Sequence, residues 1–278
     1  MKRIRSWTCG RWRGALFLSI ALLCLGDARA DTSFRWPADI KAAVSLGYDD
    51  ALDSQLDVAV PALNKHGLKA SFYLQLSNPS VDRRMQEWRA AAQLGHELGN
   101  HTLFHQCSSA PADRAWVQAH RDLDTTSVAQ MKDQIGIANT MLHAIDGKRE
   151  RTFTAPCGDL RARGEHYLAA VKADFVAIKA GGGSGIVVSM AALDLHAVSV
   201  LAPTDMSGKQ LIDLVKAAVA KGTMLNLTFH GVGGDYLAVS KEAHEQLLAY
   251  LAANRATIWT DTFLNIARHV QAQQDGNR

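Results

Sequence analysis

Between residues 42 and 270 the chain alternates short apolar runs with longer amphipathic stretches, and this rhythm restricts the fold more than any other feature. Strand-like runs occur at 42–48 (AAVSLGY), 70–74 (ASFYL), 151–156 (RTFTAP), 174–178 (DFVAI), 197–201 (AVSVL), 223–229 (TMLNLTF) and 257–259 (TIW). Helical patterns separate them at 53–67, 81–95, Val128–Ile145, 166–173, 208–222, 241–255 and 261–270. Glycines stop several of these, with Gly67, Gly95 and Gly222 at the expected ends. Strands that regularly alternate with helices imply a parallel sheet covered by those helices. The stretch AGGGSG at 180–185 reads as a flexible loop.

The first thirty residues are set apart by composition. A basic start (Lys2, Arg3, Arg5, Arg11, Arg13) leads into an apolar run from Ala15 to Leu25 and the small-residue ending Ala28-Arg29-Ala30. That is the layout of a secretory signal peptide over 1–30, with an apolar run too short to span a bilayer. Export to the periplasm or the medium is therefore expected, with no stable membrane insertion after cleavage. The segment carries six of the 30 Lys/Arg and one of the 27 Asp/Glu, so the formal +3 of the whole chain becomes −2 for residues 31–278. A nucleic-acid partner has no electrostatic support. Cys107 and Cys157 are the cysteines left after removal, and an oxidising compartment would permit one disulfide. A span of 248 residues suits one α/β domain of barrel size.

The unusual polar residues follow strands. In a barrel the strands' carboxyl ends gather on one rim, so Asp49-Asp50, His101, Pro156-Cys157 and His230 can converge. His101 and His105 in NHTLFHQC share a face if the segment makes a helical turn, the spacing of a chelating pair; the alternative is one packed and one exposed histidine. Adjacent Asp49 and Asp50 repel each other unless a cation or solvent compensates; helix capping is the plainer use. One carboxylate with two neutral imidazoles and an open position is a catalytic zinc pattern. His230, before glycines, has the titration range of a general acid.

Together these residues resemble the polysaccharide deacetylases of carbohydrate esterase family 4, with the nodulation-type chitooligosaccharide deacetylase domain, from about Lys41 to Val270. The family's Thr-Phe-Asp-Asp is seen here in Leu46-Gly47-Tyr48-Asp49-Asp50, its His-Ser/Thr-x-x-His in His101–His105, and its Leu-x-x-His in Leu227–His230. The resemblance implies a distorted (β/α) barrel of about seven or eight strands over 31–278. It makes Asp49 the general base, Asp50, His101 and His105 ligands of one divalent metal (zinc first, then cobalt or nickel), and His230 the general acid. The backbone amide of Cys157, in FTAPCG, would stabilise the oxyanion. The expected substrate is an acetylated glycan, N-acetylglucosamine polymers first and O-acetylated xylan second. The segments carrying Cys107 and Cys157 would share one rim, where a Cys107–Cys157 bond would staple the site.

Two departures stand out. The family's third motif begins with an arginine that braces the catalytic aspartate, and Thr154 occupies that place. A distant cation must substitute, or Asp49 titrates higher. The aspartate–tryptophan motif that supports the acid histidine is not recognisable; Asp194 and Asp205 are candidate braces or plain loop and capping residues, and Trp259 or Trp36 could supply a wall, a core or surface role being the plainer reading of each. These departures leave two rivals open, a carbohydrate-binding pseudoenzyme and an amidohydrolase acting on a non-sugar amide. Among other histidines, His66 and His244 read as surface residues and His96 as structural.

Overall fold

The structure is a computed structural model and describes residues 34–276; the expected signal peptide lies outside the described residues. The strands of its main sheet are β1 (Ala42–Asp49), β2 (Ser71–Leu74), β3 (Glu97–Asn100), β4 (Thr152–Thr154), β5 (Ala177–Gly182), β6 (Val198–Val200), β7 (Met224–Phe229) and β8 (Ile258–Asp261). All pairings in this sheet are parallel, and every residue of β1 is buried. β7 lies along one flank of β1; β8 pairs with its first half and β2 with its second. From β2 the sheet runs through β3, β4, β5 and β6 in order. The bridge between Leu201 and Leu227 then joins β6 to β7, with Leu201 N–H donating to the Asn226 carbonyl (3.1 Å) and Thr228 N–H to that of Leu201 (2.9 Å). Seven strands thus close a barrel, and β8 is an eighth beside β1. The expected glycine loop contributes Ala180–Gly182 to β5, because Gly182 registers against Val200 of β6.

Alternation along the strands divides apolar from polar residues. Outward Val44, Leu46 and Tyr48 join a core with Leu63, Leu211, Val215, Leu247 and Leu251 of the covering helices. Outward Phe153 and Ile178 pack with Met131 and Ile135 of the helix Val128–Asp146. The barrel's lower interior is closed by Ala43, Tyr73, Ala177 and Met224 against Phe263, Ile266 and Val270 of the last helix (Phe263–Gly276). Capping boxes at Ser127–Gln130 and Ser207–Gln210 start two of the long helices, and Gly147 and Gly222 end them in the left-handed conformation. No helix among the described residues is long and apolar enough to cross a membrane.

His244 is not on the surface. It is buried behind β1 and shares a 2.7 Å hydrogen bond with the Tyr48 hydroxyl. His66 is half-buried and meets Glu245 at 2.9 Å. His96 is fully buried, with Nδ1 accepting from Ala70 N–H. Burial pulls both His96 and His244 down to about 4 from an ordinary 6.5. The folded chain holds these rings neutral, whereas the unfolded chain protonates them below about pH 6.5. Stability should therefore be full above about pH 6.5 and fall as the pH drops toward about 4. Urea unfolding at about pH 7 and pH 4.5 should show this loss, and His244→Gln should make it shallower.

Candidate active site

Asp49 ends β1 with its side chain directed into the barrel, so a regular strand would send the next side chain outward. Instead Asp50 and Ala51 turn left-handed (φ 79° and 59°), and both carboxylates line one cavity of about 740 Å³ at the strands' carboxyl ends. Both are at least 96% buried. Gln55, fully buried, donates to the backbone carbonyls of Asp49 (2.5 Å) and His230 (3.2 Å), tying two rim segments together.

The histidine pair does not stand on a helical turn. Residues 101–106 form an irregular loop in which Thr102 and His105 have positive φ (65° and 53°). The Asn100 side chain accepts from Thr102 N–H (2.8 Å), and the Thr102 hydroxyl from His105 N–H (2.9 Å). This turn aims both imidazoles at Asp50: its Oδ1 lies 3.2 Å from His101 Nε2 and 3.1 Å from His105 Nε2. His101 Nδ1 faces the Thr154 carbonyl at 2.8 Å, so when the ring is neutral its proton sits on Nδ1 and Nε2 is left as an acceptor.

These three atoms fit a divalent ion. Buried Asp50 Oδ1 has no properly directed hydrogen-bond partner despite the two close nitrogens. Donors about 2.0–2.1 Å from a tetrahedral ion lie roughly 3.3 Å from one another, close to the spacings observed. Burial would raise the Asp50 carboxyl, yet the facing imidazoles hold it well below the usual carboxylate range. Burial would likewise lower His101, but Asp49 and then Asp50 outweigh it and hold the ring up at about 9. His105, Cys107 and Cys157 also cluster, but the two sulfurs are bonded to each other and offer no thiolate.

Asp49 Oδ2 is 3.8 Å from His101 Nε2, and burial raises its carboxyl above the ordinary value. His230 enters the cavity from the end of β7, with Nε2 3.8 Å from Asp50 Oδ2. Its Nδ1 is buried and unpartnered, so neither proposed brace supports it. Asp194 is exposed and accepts from His196 N–H in its own turn (2.8 Å), and Asp205 is exposed in the loop after β6. Trp36 and Trp259 pack together away from the cavity, Trp36 donating to the Gly222 carbonyl (3.0 Å). Cys157 lines the cavity with left-handed backbone (φ 55°), and its carbonyl accepts from Arg114 (3.2 Å).

Several participants were not singled out in the sequence. The Tyr236 hydroxyl donates to Asp50 Oδ2 (2.8 Å); its one signal was its place shortly after His230 and the glycines. Lys179, fully buried in β5, also reaches the cavity, and its signal was a lysine in an otherwise apolar run. Phe104, Trp116, Tyr236 and Leu237 form exposed apolar walls, for which single aromatics in loops gave no signal.

Residues 38–176, half of the chain, match the polysaccharide deacetylase family. The chain belongs to that family. A gellan lyase from Bacillus sp. is 26% identical over 137 residues, covering 49% of this chain; the match spans only 5% of that protein's length. The peptidoglycan deacetylase PdaC from Bacillus subtilis shares the fold at 17% identity and a TM-score of 0.51, with 84% of this chain and 94% of PdaC covered. BA3943 from Bacillus anthracis, a carbohydrate esterase family 4 pseudoenzyme, in a mutant form with restored enzymatic activity, shares it at 15% identity and a TM-score of 0.51, covering 83% of this chain and 68% of BA3943. The deacetylase barrel expected from the motifs is thus the observed fold.

Cys107 and Cys157 form a disulfide across 50 residues, joining the histidine loop to the turn after β4. Replacing both by serine should lower the unfolding free energy by about 2–4 kcal/mol, measured by urea titration against the untreated parent. An unchanged midpoint would mean that the rim is held without the bond.

Proposed function

We propose that this chain is a metal-dependent hydrolase that removes acetyl groups from a carbohydrate, foremost the N-acetyl groups of an N-acetylglucosamine-containing polysaccharide. The observation that carries this reading is the approach of Asp50 Oδ1 to within 3.2 Å of both His101 and His105 Nε2, beside Asp49 and His230. Asp50, His101 and His105 would hold the ion, zinc first for a nitrogen and oxygen set, with cobalt or nickel also suited. When bound, the ion supplies polarisation of the acyl oxygen and acidification of water. Asp49 accepts the proton of the attacking water; its raised carboxyl makes it a better base than an exposed aspartate. His230 gives a proton to the departing sugar nitrogen. The Cys157 amide faces the developing oxyanion, a role typically contributing roughly 3 kcal/mol.

A sugar substrate is supported by the cavity walls. Phe104, Trp116, Tyr236 and Leu237 line the cavity, all more than 40% exposed. Exposed apolar side chains gathered around an open cleft mark a binding surface rather than a surface in water. The disulfide fits an exported protein, periplasmic or secreted.

The rival reading, a glycan-binding protein without turnover, draws on the unbraced His230 Nδ1. An acetate-release screen over N- and O-acetylated glycans and small amides, on chelated and metal-restored protein, separates these readings. Release restored by metal supports the hydrolase, whereas metal and glycan binding with no release on any substrate overturns it. Asp49→Asn should lose roughly a hundredfold or more in rate while keeping its metal content, read by elemental analysis. Trp116→Ala should raise KM for a polymer severalfold (roughly 3–10-fold) and leave kcat near the parent value.

A further inference from the structure

The barrel interior contains one cation that the proposed chemistry leaves unused. Lys179 stands in the middle of β5, fully buried, and points across the barrel toward β1. Its Nζ lies 3.5 Å from the Thr228 hydroxyl, 4.9 Å from the centre of the Phe263 ring and 5.3 Å from that of Tyr73. Room for it exists because residue 47 is glycine: a Cβ there would sit 2.8 Å from Nζ. Burial lowers the ammonium to about 8, while the charges of Asp49 and Glu97 resist that fall.

A buried ammonium needs anions, and these two carboxylates are differently provided for. Glu97 accepts from the Ser71 hydroxyl, the Thr152 backbone and hydroxyl, and Leu264 N–H. Asp49 Oδ1 is buried with no hydrogen-bond partner among the described residues. Lys179 is also the register partner of Thr154, so the two side chains leave neighbouring strands on the same face. Resting on the function proposed above, we infer that Lys179 is the positioning residue for Asp49, supplying from β5 the positive charge that Thr154 cannot supply from β4. No direct ion pair joins them within 4 Å among the described residues; the effect is a through-space field in a water-poor interior, where charges interact more strongly than in water.

One set of variants tests this with two readouts. In thermal unfolding, Lys179→Met should lower Tm, and adding Asp49→Asn should recover part of that loss because the stranded carboxylate is gone. Glu97→Gln should not give the same recovery. Simple additivity, or recovery with Glu97→Gln instead, would overturn the pairing whether or not the protein is an enzyme. In acetate release, Lys179→Met should cut kcat on the order of 100-fold with KM and metal content close to the parent. Thr154→Arg in the Lys179→Met chain should restore at least about tenfold of that loss, since it returns a cation to the adjacent register position. An undiminished kcat in Lys179→Met, or a loss that Thr154→Arg does not relieve, would sink the positioning role. A parent protein that releases no acetate would instead defeat the proposed function, leaving the Tm cycle to judge the pairing.

Discussion

Two adjacent carboxylates buried at the end of the central strand impose the constraint on which the rest of this site depends. In water, Asp49 and Asp50 would be screened; here both are almost wholly removed from solvent, so each charge must be answered by the protein or by a bound ion. Asp50 is answered at close range by His101 and His105 on Oδ1 and by Tyr236 on Oδ2. Asp49 receives longer-range help, from His101 at 3.8 Å, then from His230 and then from the field of Lys179. The asymmetry separates their chemistry. Asp50 is held as an anion and suits ligation; Asp49 is raised by burial and suits proton transfer.

The backbone arrangement that makes this pairing possible is a sequence of small departures from regular structure. Left-handed conformations occur at Asp50, Ala51, Thr102, His105 and Cys157, all on the rim that carries the site. Such conformations are costly for residues with a Cβ and persist only where surrounding contacts enforce them. Those contacts are visible: Asn78 donates to the Asp50 carbonyl (2.8 Å), Gln55 to that of Asp49, and Thr102 is clasped between Asn100 and His105. The strand end that carries Asp49 and the hydrogen-bonded turns that carry Asp50, His101 and His105 together place the donors at the spacings observed.

This division explains what was legible in the sequence. Seven of the eight sheet strands and most helices followed from apolar periodicity because a barrel buries both faces of its strands, whereas β3 (ELGN) has one large apolar residue and gave no such run. The motif residues were visible because they interrupt or follow those runs. For the histidine pair the i, i+4 spacing allowed a helical turn as one route to a shared face; the observed route, side-chain closure by Thr102, leaves no periodic trace. His244 was misplaced because a polar residue stands on the buried face of its helix with Leu247, Leu248 and Leu251, where it packs on Tyr48 and Phe229 and shares the Tyr48 hydrogen bond. The missing arginine was legible as an absence. Its replacement was not, because Thr154 and Lys179 are 25 positions apart and become neighbours only through the register of β4 and β5.

Gly47 shows how such an exchange is accommodated. Where the related motif has threonine, this chain has no side chain, and the ammonium of Lys179 occupies the side of β1 that a Cβ would block. Lys179 reaches across from β5 and uses the space that Gly47 leaves at β1. Gly47, Thr154 and Lys179 therefore form one steric and electrostatic unit on three strands. Changing Gly47 alone to threonine would force the lysine aside, since a Cβ there sits 2.8 Å from Nζ, and so weaken the charge that reaches Asp49 from β5.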